Sequence, residues 1–402
     1  MWRIFVKIYS LGFSKLTIST IQKIMSSSSS FWSGSDSSKD KVLGQGSYGQ
    51  VIARDGIAVK KFDKIGHLIQ EYAALSYLNE CPHILHCTDV DFRNNELSLD
   101  LWDCSLRDWL EQHPPLPSNT ISAVRAARTA RQRTLDAFIR DTLLGLQELH
   151  DRNLIHGDLK PSNILVRVKP NNKESVPIQA VLGDCGFVSI AKYVKVDRTA
   201  SGYRDPVVIP DAAHDLFSLG ICLVELLGGG RVTRQAQYKD VDGLIASVPD
   251  RKHQDLIRQL LNKDRTQRPS AATVLFALYG IQAPISSTLA PVLLRVKSEN
   301  KDNPVRGLIK RLAREWEISR AKRGYGALLS FFEIHSVPQT EQEQYAVVLL
   351  VILSALFGRS GFKLRNAAEI VNVEVKDLYS VLDDLLGDRD WCVRIVLSPL
   401  DP

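Results

Sequence analysis

Three side chains in one short stretch could together support the transfer of a phosphoryl group. Asp158 could accept the proton of an attacking hydroxyl, Lys160 could neutralise charge on the γ-phosphoryl group, and Asn163 could hold a divalent metal ion. Asp184 follows twenty-six residues after Asp158, and its carboxylate could bind the metal that bridges the β- and γ-phosphates. The two stretches read Leu154-Ile155-His156-Gly157-Asp158-Leu159-Lys160-Pro161-Ser162-Asn163-Ile164-Leu165 and Leu182-Gly183-Asp184-Cys185-Gly186-Phe187.

A glycine-rich turn and a lysine upstream could hold the phosphates of a nucleotide. The turn reads Gly44-Gln45-Gly46-Ser47-Tyr48-Gly49-Gln50-Val51, and its glycines would let a hairpin backbone approach phosphates without obstruction. Lys60 ends the apolar run that begins at Ile57, and Glu71 lies eleven residues further on, where it could hold the lysine ammonium. Taken singly, the turn could simply reverse the chain, and the lysine and glutamate could be solvated surface residues.

The segments around these residues predict a small β-rich part followed by a larger helical part. Short β-branched segments between residues 41 and 101 indicate an antiparallel sheet with one helix near 66–79. Helical periodicity dominates from 106 to 280, and a polar stretch at 298–303 marks a boundary. Five further helices are predicted, and the third is nearly all apolar, so the others should pack around it. They span residues 305–320, 324–335, 341–357, 364–371 and 375–387.

Composition excludes several other classes of protein. The chain has 402 residues, of which 44% are hydrophobic and 24% charged, and its net charge of +6 argues for neither nucleic acid nor membrane. Six scattered cysteines without a CxxC pair indicate reduced thiols and no zinc site. The longest apolar run, 346–357, is shorter than the ~20 residues that cross a bilayer. We therefore expect a soluble cytoplasmic or nuclear protein without a transmembrane segment.

Two basic regions have both a functional and a plain interpretation. Residues 1–35 contain no acid and mix lysine and arginine with apolar residues, as an organelle-targeting or membrane-surface helix would. Initiation at Met25, or a disordered leader before the serine-rich linker, is the favoured alternative. An arginine-rich segment at 125–133 could dock acidic partners or nucleic acid, but it lacks interleaved aromatics. A solvated helix face is favoured there, so no specific nucleic-acid partner is expected.

Together these motifs resemble the eukaryotic-type protein kinase family over about residues 40–282. Asp215-Leu216-Phe217-Ser218-Leu219-Gly220 and Asp264-Arg265-Thr266-Gln267-Arg268-Pro269-Ser270 look like two further motifs of its large lobe. The resemblance implies an α+β, two-lobed kinase fold with a small β-rich N-lobe and a large helical C-lobe, which uses ATP and Mg²⁺. The residues from Asp158 to Asn163 are similar to those of the serine/threonine branch of the family. This similarity implies protein substrates with serine or threonine hydroxyls.

The same resemblance implies a role for each matching position. Asp158, Lys160, Lys60 and Glu71 would be catalytic, and Asn163 and Asp184 would bind metal. Leu99 would be the gatekeeper beside a hinge that hydrogen-bonds adenine. The nucleotide-binding positions would be Gly44, Gln45, Gly46, Ser47, Tyr48, Gly49, Val51, Ala58, Lys60, Asp100, Leu101 and Trp102.

Three positions depart from the family pattern. Gly157 replaces the arginine that reads a phosphate on the activation segment (residues 184–207), which suggests that phosphorylation of this segment is not the switch. Cys185 replaces a phenylalanine and should loosen the hydrophobic stack under the metal site. Val207 replaces a glutamate, so the usual partner of Arg268 is expected to be missing. Since the phosphoryl-transfer groups are retained, an active kinase is favoured over a nucleotide-binding pseudokinase scaffold or a small-molecule kinase.

The helical region after the kinase resemblance is similar in its helical order to a single cyclin box, opening at Val305–Leu312. The lysine and glutamate with which that family contacts a kinase are not recognisable here. If the resemblance holds, the region could contact the helix that bears Glu71 and seat the Lys60–Glu71 pair; otherwise it is a bundle for substrate docking or stability. The expected organisation is a leader and linker at 1–39, a kinase domain at 40–282, a linker at 283–303 and a helical domain at 304–402.

Overall fold

The structure of the chain is a computed structural model. The structure describes residues 40–46, 49–114, 122–167, 179–190, 203, 205, 211–228, 241–282, 304–315, 321–357, 364–392 and 395–396. The predicted leader, the predicted linker at 283–303 and the side chains of Ser47, Tyr48 and Val207 lie outside these ranges.

A five-stranded antiparallel sheet forms the amino-terminal lobe, in the order β1-β2-β3-β5-β4. Helix α1 (Ile65–Tyr77) follows β3 and buries residues three and four positions apart, such as Leu68, Ile69 and Ala73. One face of α1 therefore lies in the core, as the predicted helix near 66–79 requires. The strands are β1 (Lys41–Gly46), β2 (Gly49–Arg54), β3 (Ile57–Phe62), β4 (Cys87–Asp91) and β5 (Glu96–Asp100).

The larger lobe is mainly helical and is built around one buried helix. Its helices are α2 (Leu106–Gln112), α3 (Ser122–Asp151), α4 (Ala212–Gly228), α5 (Val241–Ala246), α6 (Arg251–Leu260) and α7 (Ala271–Tyr279). Every residue from His214 to Leu227 on α4 is buried, because this helix is apolar on almost all sides. Short strands carry the loops of the site: β6 (Cys104–Ser105), β7 (Leu154–Ile155), β8 (Ile164–Arg167), β9 (Gln179–Leu182) and β10 (Ser189–Ile190).

The carboxyl-terminal region is all helical, as predicted. It comprises α8 (Pro304–Glu315), α9 (Ala321–His335), α10 (Gln342–Phe357), α11 (Leu364–Val371), α12 (Val375–Gly387) and the short α13 (Arg389–Cys392). Residues 346–353 of α10 are all buried, and α8, α9, α11 and α12 pack against this helix. The prediction of a central third helix is therefore confirmed. Within the described residues, no helix is both long and apolar enough to cross a membrane.

Helices of this carboxyl-terminal region also pack against the amino-terminal lobe. α10, α12 and α13 all contact α1. A Cβ atom built at Gly66 of α1 would lie 2.2 Å from the carbonyl oxygen of Ala355, so no side chain fits there. Arg93, between β4 and β5, lies with its guanidinium carbon 5.3 Å from the ring centre of Tyr379 on α12. The two regions are thus in contact at a helix and at a strand turn.

Candidate active site

An ion cluster joins three elements of the site. Lys60 on β3 donates hydrogen bonds of 2.5 Å to Glu71 Oε2 and 2.7 Å to Asp184 Oδ1. Burial opposes the charge on Lys60, but attraction to Glu71 and Asp184 outweighs it and raises the lysine pKa. Burial likewise works against ionisation of Asp184, yet Lys60 lowers the pKa of this carboxyl below its usual value. Burial raises the pKa of Glu71 to about 7, although attraction to Lys60 opposes this shift. Lys60 is therefore a fixed cation held between two carboxyl groups.

A second cluster lies on the loop between β7 and β8. Lys160 Nζ donates to Asp158 Oδ2 at 2.5 Å, and Asn163 Nδ2 donates to the same oxygen at 3.0 Å. Asn163 Nδ2 also donates to the Asp158 backbone carbonyl at 2.9 Å. Pro161 begins a short 3₁₀ turn that ends at Asn163, which brings these side chains together over a few residues.

Asp215 holds this loop in place from α4. Its carboxylate accepts hydrogen bonds from the backbone N–H groups of His156, at 2.8 Å, and Gly157, at 2.9 Å. His150 Nε2 lies 3.0 Å from Asp215 Oδ2. Burial opposes ionisation of Asp215, but the hydrogen bond from His150 lowers the pKa of this carboxyl below the usual 3.8. The resemblance had singled out Asp215, and this is the physical role that the geometry gives it.

His156 ties the same loop to the strand that precedes Asp184. The Asp158 backbone N–H donates to His156 Nδ1 at 3.3 Å, and His156 Nε2 lies 3.1 Å from the Gly183 carbonyl oxygen. Because a backbone N–H can only donate and a carbonyl can only accept, the imidazole carries its proton on Nε2. Asp158 and Asp184 are thus positioned relative to each other through one buried side chain.

Gly157 has a conformational reason to be glycine. Its φ is +78°, in the left-handed region that a side chain strains. A Cβ atom at this position would also lie 3.1 Å from the Phe187 carbonyl oxygen. The absent arginine therefore coincides with a backbone conformation and a close approach that both suit glycine.

Cys185 is fully buried beneath the ion cluster. It begins a 3₁₀ turn, Cys185–Phe187, which packs against α1. Burial raises the pKa of the Cys185 thiol well above its usual value, so the sulfur is a neutral packing group. A thiol is smaller than the phenyl ring that the family pattern places here, and the expected loosening of the stack stays a prediction.

Arg268 has a carboxylate partner although its usual one, a glutamate at position 207, is replaced by Val207. Arg268 Nη1 donates to Asp205 Oδ2, and Arg265 Nε lies 3.3 Å from the same oxygen. The side chains of Asp205 and Arg268 are 0% and 1% exposed. Asp205 lies two positions before Val207, so it supplies the carboxylate that the missing glutamate was expected to provide.

A triad that the sequence motifs did not reveal lies near Asp205. Tyr203 Oη donates to Glu225 Oε2 at 2.8 Å, and Arg107 Nη2 contacts both Tyr203 Oη, at 2.6 Å, and Glu225. Ser218 Oγ donates to the Tyr203 carbonyl oxygen at 2.8 Å. Arg107 and Glu225 are 118 positions apart, and no local motif connects them.

The described residues among those expected to bind a nucleotide lie on the five-stranded sheet or directly after its strand β5. Gly46 pairs with Gly49 at the end of the β1–β2 hairpin, and Val51 pairs with Lys60 across β2 and β3. Ala58 lies opposite Leu99 on β5, and the chain then runs into the hinge of Asp100, Leu101 and Trp102. The structure therefore brings these positions onto one sheet and its exit, next to Lys60.

Asn163 and Asp184 offer the oxygen atoms that a magnesium ion requires. Because Asn163 directs its Nδ2 to Asp158, its amide oxygen is the atom left for a ligand. Asp184 engages Lys60 through Oδ1 and is 30% exposed. Mg²⁺ is commonly held by one or two protein oxygens together with phosphate oxygens and water. This donor set fits that pattern.

Comparison with known proteins agrees with this fold. The protein kinase domain family matches residues 37–279, more than half of the chain. The chain therefore belongs to the protein kinase family. The match ends before α8, so the cyclin-box resemblance of the carboxyl-terminal region is not shown and stays a prediction.

Individual relatives are distant in sequence. The serine/threonine-protein kinase/endoribonuclease IRE1 of Oryza sativa subsp. japonica is 28% identical over 58% of this chain and 29% of its own length. The protein ire-1 of Caenorhabditis elegans is 27% identical over 67% of this chain and 30% of its own length. The serine/threonine-protein kinase ULK3 of Xenopus laevis is 26% identical over 57% of this chain and 52% of its own length. The chain thus spans at most about half the length of these relatives.

Proposed function

We propose that this protein transfers the γ-phosphoryl group of ATP to serine or threonine hydroxyls of other proteins. The observation that carries the proposal is the assembled Lys60–Glu71–Asp184 cluster beside the Asp158–Lys160–Asn163 cluster. A catalytically silent scaffold does not require both clusters. The relatives are named as serine/threonine-protein kinases, and these names support serine and threonine as the hydroxyls that accept the phosphoryl group.

Each side chain has a chemical role in this proposal. Asp158 orients the substrate hydroxyl and takes its proton, while Lys160, fixed on Asp158, faces the charge of the transferred group. Lys60, anchored by Glu71, contacts the α- and β-phosphates. Asn163 and Asp184 would hold Mg²⁺, which when bound offsets phosphate charge. The protein contributes positioned charges and an oriented hydroxyl, which is most of what phosphoryl transfer requires.

The remaining assignments extend the same proposal. The glycine-rich hairpin with Val51 and Ala58 would enclose the nucleotide, and the hinge at 100–102 would bind adenine. A kinase domain at 40–282 and a helical domain at 304–402 are the proposed functional units. We place the protein in the cytoplasm or nucleus.

We further propose that the carboxyl-terminal helices keep the kinase active. They pack on α1, which carries Glu71, and the contact at Gly66 fixes the start of this helix. Ala355 lies in the last turn of α10, so the carbonyl end of α10 meets the amino end of α1. Opposite helix ends attract because their dipole charges have opposite sign. Holding α1 in this place keeps Glu71 within reach of Lys60.

The test of kinase activity is transfer of labelled phosphate from Mg-ATP to a generic protein substrate by the full chain. Asp158→Asn is expected to lower kcat by about 100-fold or more with little change in ATP affinity, since a general base contributes that much. Asp184→Asn should abolish transfer, and Mg²⁺ should then strengthen the binding of ATP less than it does in the wild-type protein. Asp255→Asn, at an exposed side chain on α6, is the matched control. Tight ATP binding without transfer by the wild-type protein would instead establish the scaffold.

A further inference from the structure

Arg167, the last residue of β8, contacts two consecutive residues of the hinge. Its guanidinium carbon lies 4.4 Å from the centre of the Trp102 ring. Its Nη2 donates a hydrogen bond of 3.3 Å to the carbonyl oxygen of Leu101. A guanidinium is planar and carries several donors, so it can stack on an aromatic face and donate to a neighbouring carbonyl at once. An ammonium group cannot reproduce both contacts.

Backbone hydrogen bonds hold the hinge at its two ends. The N–H of Asp100 donates to the His86 carbonyl at 3.1 Å, and the N–H of Asp103 donates to the Val166 carbonyl at 3.2 Å. Leu101 and Trp102 lie between these two ties. Arg167 therefore contacts the two hinge residues that lie between these backbone hydrogen bonds.

The charge of Arg167 is directed at the hinge. Among the residues that the structure describes, no carboxylate forms an ion pair with Arg167. Its polar contact there is with the Leu101 carbonyl, and its flat face lies on Trp102. An arginine that served only the solubility of the surface would not need to stack on a hinge residue in this way.

The strand that carries Arg167 also connects to the metal-binding end of the site. β8 begins directly after Asn163, whose carbonyl accepts the Gly183 N–H at 2.8 Å. The proposed metal ligand Asn163 thus lies directly before β8, and Arg167, which contacts the hinge, is the last residue of the same strand. The two ends of a bound nucleotide would both be positioned relative to β8.

We propose that Arg167 is a positioning residue for the nucleotide. It fixes the Leu101–Trp102 peptide and so presents the backbone groups of the hinge to the adenine ring. This rests on the proposed function, because it takes the hinge as the adenine-binding segment. Arg167 acts through Leu101 and Trp102 and takes no part in the chemical step.

The expected signature is a separation of KM from kcat. Arg167→Met should raise the KM for ATP by about tenfold, the effect of one cation–π contact and one hydrogen bond to a charged donor. Binding that is lost equally from the ground state and the transition state leaves kcat unchanged, so kcat and the KM for the protein substrate should change by less than about twofold. Arg167→Lys should lie between wild type and Arg167→Met.

The test combines full-chain kinetics with direct titration of MgADP and a melting curve without nucleotide. Arg258→Met, at an exposed arginine on α6, is the matched control and should leave every value unchanged. In a double-variant cycle with Trp102→Leu, the effect of Arg167→Met should shrink, because the stacking partner is already gone. If Arg167→Met does not fold, Arg167→Lys carries the same comparison.

The outcomes separate this inference from the proposed function. A wild-type protein that binds no nucleotide would defeat the proposed function itself. Normal binding and transfer by wild type, together with an unchanged KM and Kd in Arg167→Met, would overturn the positioning role and leave the kinase intact. Equal losses in kcat, KM and melting temperature would also overturn it, since they would indicate a purely structural residue.

Discussion

The two sides of the active site are held in place by different physical means. On the amino-terminal side, α1 is fixed by packing against α10, α12 and α13, and by a backbone contact so close that only glycine fits at position 66. On the other side, residues 203 and 205 of the activation segment are fixed by buried charges from Arg107, Arg265 and Arg268. One side depends on shape and the other on charge.

This difference determines which substitutions and which solution conditions should destabilise each side of the active site. A packed contact is disrupted by added volume and responds little to pH or salt. A buried ion cluster tolerates little loss of one partner, because the remaining charge is left without compensation in a medium of low dielectric. The same protein should therefore show two distinct patterns of sensitivity, and substitutions on each side can separate them.

The largest effect is expected at Asp205. Asp205→Ala leaves Arg268 buried without a carboxylate and should lower the free energy of unfolding by about 3–5 kcal/mol. Arg268→Met in the same chain should restore part of this loss, because no unpaired charge then remains on that side chain. Denaturant unfolding of the single and double variants measures both effects. A double variant less stable than Asp205→Ala would show that the Arg268 charge is not the cause.

The next effect concerns Gly66 and the packed side. Gly66→Ala places a Cβ atom against the Ala355 carbonyl oxygen, so α10 and α1 must move apart. We expect a loss of about 1–3 kcal/mol in stability and a clear fall in kcat/KM as Glu71 leaves Lys60. Gly307→Ala, on α8 with open space around it, is the matched control and should be neutral or stabilise by up to about 1 kcal/mol. Full activity in Gly66→Ala would refute regulation through this contact.

An effect of similar size that depends on pH is expected from Asp215. A carboxyl whose pKa is lowered in the folded state stabilises the fold above its unfolded pKa, and this contribution is lost as pH falls through the folded pKa. Asp215→Asn should therefore lower stability at neutral pH by about 1–3 kcal/mol. The difference between wild type and variant should narrow as the pH is lowered below about 4. Urea unfolding at several pH values checks this, and a constant difference would contradict it.

Sequence reasoning succeeded where the information was local. α11 and α12 occupy the predicted ranges to the residue, while α9 begins three residues before its predicted start and α10 one residue after. Apolar residues at helical spacing reveal a buried face without knowledge of what covers it. The motifs of the catalytic loop and of the metal positions are likewise each contained within a few residues, and the roles given to them stay a proposal.

The contacts that sequence reasoning did not anticipate join residues that no motif relates. The usual partner of Arg268 was expected to be missing because Val207 replaces the glutamate, but the substitute carboxylate of Asp205, two positions earlier, was not anticipated. The contact between Gly66 and Ala355 joins residues that no motif relates. Arg167 at the hinge was missed for the same reason. Spacing along the chain identifies residue types but does not show which distant side chains will meet.

The smallest effect tests whether burial, rather than the chemistry of the pair, sets the strength of the charged side. Arg258 and Asp255 pair on α6 at 2.9 Å, with side chains 47% and 57% exposed. Removing the aspartate should change stability by less than about 0.5 kcal/mol, because water solvates the arginine that remains. Asp255→Ala and Asp205→Ala delete the same carboxylate from the same kind of pair, and they differ in what surrounds the remaining guanidinium. Comparable losses measured in the same buffer would mean that desolvation is not what makes Asp205 important.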